Sequence, residues 1–289
     1  MKPPPFDYVR AESIDHAVEE LARADGEGVL LAGGQTLMPL LALRMANPAV
    51  VIDINRIDGL AGVSKVAGAL RVGATTRQND LLADPLVARH LPVLQRAVGY
   101  VGHHQTRNRG TIGGSVSLGE PAAEMPACAL ALDAVVEVRS SEGARLIDAL
   151  DFYYGPYVNA LLPDEMVTAI EYPDWPEDSI TLVHEVARRP GDFALVGLVC
   201  QLALSGGKVS RAGIAWFGMG PTPMRAHQAE KALLGTLASE VDPHGLAELA
   251  LADTDPFEDA HATRAYRQTV GRRVFARLLG EALKQRIAA

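Results

Sequence analysis

Apolar residues at Ile14, Ala17, Val18 and Leu21 recur at helical spacing behind Ser13, a suitable N-cap, and Gly26 and Gly28 end the pattern. Val29–Ala32 is then a short apolar run that reads as a strand and leads straight into Gly33-Gly34; Val50–Ile54 is another. Together they predict a β–α–β-like unit. From about residue 60 the pattern is mixed. Leu70–Val72 is β-like, Thr76 can cap a helix through Leu82, and Leu86–Val101 has helical periodicity. His103–Ser115 is polar and Gly-rich, with too little apolar content for a core element. Pro121–Leu132 reads as helix, and Val135–Arg139 and Glu165–Tyr172 as strands, before Pro173, Trp175 and Pro176 break the chain. Beyond that break, Ile180–Ala187, Ala194–Leu204 and Val209–Phe217 are separated by Arg189-Pro190-Gly191-Asp192 and Ser205-Gly206-Gly207, the pattern of an antiparallel meander. Helices follow at about Ala226–Leu234, Leu246–Ala252 and Thr263–Arg286, the last broken or bent near Gly271. The class is α+β.

Composition narrows the function classes. A chain of 289 residues suits two domains at about 100–200 residues each. Hydrophobic residues at 48% and charged residues at 21% are ordinary globular usage, which sets disorder aside. Lys plus Arg is 27 against 35 Asp plus Glu, a net charge of −8, which argues against a nucleic-acid or anionic-membrane surface. Cys128 and Cys200 have no partner at C-x-x-C spacing, so the chain alone holds neither an iron–sulfur cluster nor a Cys-type zinc site. Met1–Phe6 has no apolar stretch to serve as a signal peptide, and no run reaches the ~18 apolar residues of a transmembrane helix. The expectation is a soluble, cytoplasmic protein.

Two Gly-Gly turns carry the candidate chemistry. Ala32-Gly33-Gly34-Gln35-Thr36 follows a strand and precedes the apolar run Leu37–Leu43; Thr111-Ile112-Gly113-Gly114-Ser115 follows the polar stretch. Glycine lets backbone approach closely and adopt positive φ, so successive N–H groups can converge on an anion, and Thr36, Thr111 and Ser115 add hydroxyl donors. Two such loops could grip the phosphates of a dinucleotide without a basic side chain; each also reads, alone, as an ordinary tight turn. There is no G-x-G-x-x-G, P-loop, H-E-x-x-H or G-x-S-x-G motif, and the adjacent pair His103-His104 does not suit one metal ion. The chain offers a phosphate cradle and no evident acid–base machinery.

Ala32-Gly33-Gly34-Gln35-Thr36-Leu37-Met38-Pro39 resembles a motif of the FAD-binding middle subunits of molybdenum hydroxylases, the group of carbon monoxide dehydrogenase medium subunits and the xanthine dehydrogenase flavin domain. Arg107 to Ser115, followed by Glu120-Pro121-Ala122-Ala123-Glu124, is similar to the second motif. Arg188 to Ala194 resembles the turn before the C-terminal domain's second strand, and Tyr266-Arg267 to Arg272-Arg273 the closing helix. The resemblance covers nearly the whole chain, with the motifs in order.

It implies a two-part PCMH-type (vanillyl-alcohol-oxidase-like) FAD-binding domain over residues 1–176, with subdomains about 1–57 and 58–176. A C-terminal domain over 177–289 would hold the three-stranded antiparallel sheet and helices. It also implies that Leu31 to Leu37 and Gly110, Thr111, Gly113, Gly114 and Ser115 bind the FAD pyrophosphate through N–H groups and hydroxyls. Glu124, where most relatives have Asp, would hold the adenosine ribose, Val101 and Met166 would be apolar contacts, and Phe193, next to Asp192, would cover one face of the isoalloxazine. Other readings stand beside these: Val101 and Met166 as core, Phe193 as a hairpin anchor, Glu124 as a helix N-terminal acid. By the same resemblance the molybdopterin cofactor and [2Fe–2S] clusters sit on a large and a small partner subunit, in a dimer of heterotrimers. Electrons would pass through FAD to NAD+, a quinone or oxygen. A stand-alone FAD oxidoreductase, using Tyr153, Tyr154, Tyr157 or His184, is the alternative; so is a scaffold that has lost FAD.

Overall fold

A computed structural model describes residues 2–288. It opens with strand β1 (Asp7–Arg10), helix α1 (Ile14–Arg23), β2 (Gly28–Leu31), α2 (Leu37–Ala42) and β3 (Val50–Asp53). The strands pair in the order β1-β3-β2, all parallel. Ser13 caps α1 by accepting from the His16 N–H at 3.0 Å, and the predicted Ala17, Val18 and Leu21 are its buried face. β1 is not marked by the sequence pattern: Asp7, Tyr8 and Arg10 are exposed, so its residues carry no hydrophobic alternation.

The middle of the chain continues with β4 (Val63–Val66), β5 (Ala69–Gly73), the short helices α3 (Gln78–Ala83), α4 (Pro85–His90), α5 (Pro92–Val98), α6 (His104–Arg109), α7 (Ile112–Leu118) and α8 (Glu124–Ala131), then β6 (Val135–Ser140), β7 (Gly143–Asp148), the small hairpin β8 (Tyr153–Gly155) and β9 (Val158–Asn159), and β10 (Met166–Pro173). Strands β4, β5, β10, β6 and β7 form an antiparallel sheet in that order. The single helix expected over Leu86–Val101 is two. Pro92 pushes Leu91 out of helical geometry, to φ −134° and ψ 52°, and starts α5. The stretch His103–Ser115, expected to stay out of the core, forms α6 and the start of α7, with Ile112 and Val116 wholly buried. Two apolar residues on one face suffice there because the glycines between them let the helix lie close. Every residue of α8 is buried, consistent with a helix that is apolar all round.

The third sheet is β11 (Ile180–Val186), β12 (Val196–Ser205), β13 (Lys208–Phe217) and the two-residue edge strand β14 (Met224–Arg225), in that order and antiparallel. The three predicted runs are its first three strands. Its two faces serve two cores. Val199, Ala203, Ala215 and Phe217 close the core around α5 and α8, whereas Leu198, Cys200, Leu202, Ile214 and Trp216 pack under α9 (His227–Leu233), α10 (Pro243–Ala252) and α11 (Arg264–Ala288). Burial on both faces is why β12 reads as a near-continuous apolar run. The sheet meets α8 so closely at Gly213 that a Cβ there would lie 1.8 Å from the Ala131 carbonyl oxygen. Asp133, just past α8, pairs with Arg211 at 2.7 Å and Arg225 at 2.6 Å, which fastens the sheet to the helix. Helix α11 runs without the break expected near Gly271; that glycine sits where a Cβ would be 3.0 Å from Leu251 and 3.2 Å from Met219. It serves close packing against α10 and the loop after β13.

Candidate functional site

A cavity of about 450 Å³ opens between the first sheet, α7 and the start of β10, a size within the ~300–1000 Å³ of ligand sites. Its wall gathers Ala32, Gly33, Gly34, Gln35, Thr36 and Leu37 from one loop, and Gly110, Thr111, Gly113, Gly114 and Ser115 from the other, with Met166 and Phe193. Most of the sequence-predicted site residues therefore meet in one place. Four lie outside this lining. Leu31 is the last residue of β2, Val101 packs against the core around α5, Asp192 is exposed in the turn before Phe193, and Glu124 lies behind the wall on α8.

The two glycine loops present different chemistry. In the first, no hydrogen bond among the described residues uses the N–H of Gly33, Gly34, Gln35 or Thr36. Gly34 takes φ +69°, which turns the chain from β2 into α2, and Thr36 stands at the start of α2 without capping it through its side chain. In the second loop the N–H groups from Ile112 to Ser115 are already used. Ile112 donates to the Thr76 carbonyl at 3.1 Å, Gly113 to the Ala74 carbonyl at 2.9 Å, Gly114 to Thr111 Oγ1 at 3.1 Å and Ser115 to the Thr111 carbonyl at 3.1 Å. This loop gives the cavity hydroxyls and a smooth wall: a Cβ on Gly113 would lie 2.5 Å from that of Ala74.

The loops touch. A Cβ on Gly33 would lie 2.4 Å from the Arg109 carbonyl oxygen and 2.9 Å from Gly110 Cα. A polar clasp that sequence reasoning missed holds them in that contact. Asn55 Nδ2 donates to the carbonyls of Ala32 at 2.8 Å and Leu31 at 3.1 Å, and Asn55 Oδ1 accepts from Arg77 Nη2 at 2.6 Å. Arg77 Nη1 in turn donates to the Arg109 carbonyl at 2.5 Å. Burial and the nearby Arg109 charge make Arg77 a weaker base than usual.

No Lys, Arg or His side chain lines the cavity among the described residues, so an anion there would be met by N–H groups and hydroxyls. Two acids do line it, neither singled out beforehand. Glu165, buried, accepts from Arg145 at 2.6 and 2.7 Å and from the Leu162 N–H at 2.7 Å; the Arg145 hydrogen bond holds its carboxyl below the ordinary range. Glu120 accepts from the Tyr157 hydroxyl and from the Ala122 N–H at 3.1 Å. Burial and Glu120 together push the Tyr157 phenol up to about 12. Both carboxylates are engaged by the protein itself. Glu124 has a different environment: it faces the Glu185 charge on β11, and burial pushes both carboxyls up. The short motif Glu120-Pro121-Ala122-Ala123-Glu124 thus sends one acid to the wall and one behind it. Phe193 stands on the wall 66% exposed, an uncovered aromatic side chain. Its loop is fixed through Gly191 at φ +87°, where a Cβ would lie 2.5 Å from the His103 ring.

Open N–H groups, close-packed glycines and a free aromatic ring suit a molecule with both an anionic linker and a flat ring. Comparison with known proteins decides which. The family described as the FAD binding domain in molybdopterin dehydrogenase matches residues 4–175. The CO dehydrogenase flavoprotein C-terminal domain matches residues 182–282. The chain belongs to the FAD-binding subunits of the molybdopterin dehydrogenase family. Its cofactor is FAD, and it is an oxidoreductase subunit. It is similar to the 6-hydroxypseudooxynicotine dehydrogenase complex subunit alpha of Paenarthrobacter nicotinovorans, 39% identical over 98% of this chain and 96% of that one. It is 35% identical to the glyceraldehyde dehydrogenase medium chain of Sulfolobus acidocaldarius, over 93% of this chain and 95% of the relative. The solved carbon monoxide dehydrogenase of Hydrogenophaga pseudoflava that lacks the Mo-pyranopterin moiety superposes with a TM-score of 0.94 at 34% identity, covering 98% of both chains. The fold is therefore that of the PCMH-type FAD-binding domain with its flavoprotein C-terminal sheet, as the motifs implied.

Proposed function

We propose that this chain is the electron-transfer subunit of a heterotrimeric molybdenum hydroxylase, working in the cytoplasm between a large molybdopterin-binding subunit and a small [2Fe–2S] subunit. The observation that carries this reading is the cavity wall: it has open donors and an uncovered ring, while both of its carboxylates are already bonded within the chain. Such a wall binds and orients without moving protons. Bound FAD would supply a centre that takes electrons singly and gives them up in pairs. Gly33 to Thr36 would donate to the pyrophosphate, Thr111 and Ser115 would add hydroxyls, Phe193 would exclude water from one ring face, and Met166 and Leu37 would shape the apolar sides. Leu31, Val101 and Glu124 would act from behind the lining, and Asp192 from the turn beside Phe193.

The chain's own residues support placing the metal centres on partners. Cys128 and Cys200 are wholly buried, with burial pushing both thiols far up, and the described residues contain no group of three or more His, Cys, Asp or Glu suited to a metal ion. No helix among them is long and apolar enough to cross a membrane. The relatives' names refer to 6-hydroxypseudooxynicotine, glyceraldehyde and carbon monoxide, which agrees with substrate choice lying on another chain. The acceptor of the electrons would be NAD+, a quinone or oxygen, and the assembly a dimer of heterotrimers.

The test is the absorption spectrum of the chain, purified alone and with its co-expressed partner subunits. We expect about one FAD per chain, bleached by 6-hydroxypseudooxynicotine, glyceraldehyde or carbon monoxide only with the partners present. Bleaching of the isolated chain by one of these would instead mark a stand-alone flavoenzyme, and a folded chain without flavin a scaffold.

A further inference from the structure

Gln78 is buried to 4% exposure on the cavity wall, and its amide oxygen Oε1 has no hydrogen-bond partner among the described residues. Buried side-chain amides in folded proteins are almost always paired, because an unpaired one forfeits its bonds to water. Other buried side-chain polar atoms here also lack a partner, but none of them lines this cavity. The position of Gln78 is fixed from three sides. Its own N–H donates to the Gly110 carbonyl at 2.9 Å, Arg77 before it is held by Asn55 and Arg109, and its Oε1 lies against Gly110 so closely that a Cβ there would be 2.5 Å away. An amide held this firmly, between the backbone of the second loop and the cavity, has its missing partner on the cavity side.

We propose that Gln78 is a cofactor-binding residue whose side-chain amide oxygen accepts a hydrogen bond from a ribityl hydroxyl in the polar linker of the dinucleotide lying between the two glycine loops. The proposal rests on the reading of the cavity as the FAD site. It makes Gln78 costly in the empty protein and useful in the loaded one, a sign that a structural glutamine would not show. Replacing it by an apolar side chain of equal length removes an unpaired buried group from the empty protein and a bond from the loaded one.

The experiment uses the full chain stripped of flavin, wild type and Gln78→Met, titrated with FAD by fluorescence quenching, with the thermal midpoint of each flavin-free protein measured beside it. We expect FAD affinity to fall about tenfold in the variant while its flavin-free midpoint stays level or rises. Unchanged affinity would overturn the proposal. So would a flavin-free midpoint that falls together with affinity, since that marks a residue needed for the fold alone. A wild-type chain that takes up no FAD would instead overturn the reading of the cavity.

Discussion

Two glycine loops of nearly the same composition face each other across one cavity and do opposite things with their backbone. The first, at Gly33 to Thr36, bonds its N–H groups to nothing among the described residues. The second, at Ile112 to Ser115, has turned each of its N–H groups inward to a carbonyl or to the Thr111 hydroxyl. The carbonyls of Ala74 and Thr76 take two of those N–H groups, and the threonine of each loop adds to the difference. Thr111 caps α7 through its side chain, so its glycines belong to a helical turn, whereas Thr36 makes no such bond and leaves its loop unclosed. A glycine pair is therefore not in itself an anion site. It becomes one where the local hydrogen bonds are left open, and is otherwise a surface against which a ligand can lie.

The largest effect should come from forcing the loops apart. Gly33→Val places carbon 2.4 Å from the Arg109 carbonyl, against backbone that cannot turn aside. FAD content of the purified chain should fall below about a tenth of wild type, with a stability loss of about 1–3 kcal/mol by urea denaturation. Next is Asn55→Ala, which frees the Leu31 and Ala32 carbonyls and Arg77 at once. It should cost about 1–3 kcal/mol and weaken FAD binding, read by calorimetric titration.

A pair of threonine variants sharpens the contrast. Thr111→Ala should lower stability by about 1 kcal/mol through loss of the cap. Thr36→Ala should leave the denaturation midpoint in place, since no cap is lost, yet reduce FAD affinity.

The smallest effect lies behind the second loop. Burial, then the Glu185 charge, pushes Glu124 up to about 8, and burial pushes Glu185 up to about 7, from an ordinary 4.5. Between those values the folded chain keeps protons that the unfolded chain has released, so stability falls as pH rises from about 4.5 to about 8. Glu185→Gln should flatten that decline in urea midpoints measured across the same range.

The glycine loops were legible in the sequence because each is a small-residue cluster with a hydroxyl at a fixed place, the first at the end of an apolar run. The C-terminal meander was legible for a similar reason, since turn residues punctuate that region regularly, whereas Phe193 was singled out only through the family resemblance. Asn55, Arg77, Gln78 and Glu165 were not, since a single polar residue looks the same in a sequence whether it is solvated or buried beside a cavity. The place of Glu124 relative to the wall was not legible either. Its position after Pro121 marks it as the acid of the motif, but the turn of α8 carries it behind the wall and leaves Glu120 in front. The break at Leu91 had a visible cause in Pro92, while the unbroken α11 did not, because Gly271 looks identical whether it bends a helix or lets a neighbour pack against it.

Amide hydrogen exchange of the full chain, with and without FAD, tests the division between the loops most directly. FAD should slow exchange strongly at Gly34, Gln35 and Thr36, and little at Gly113, Gly114 and Ser115, whose N–H groups are bonded before it arrives. Slowing confined to the second loop, or equal in both, would contradict the account.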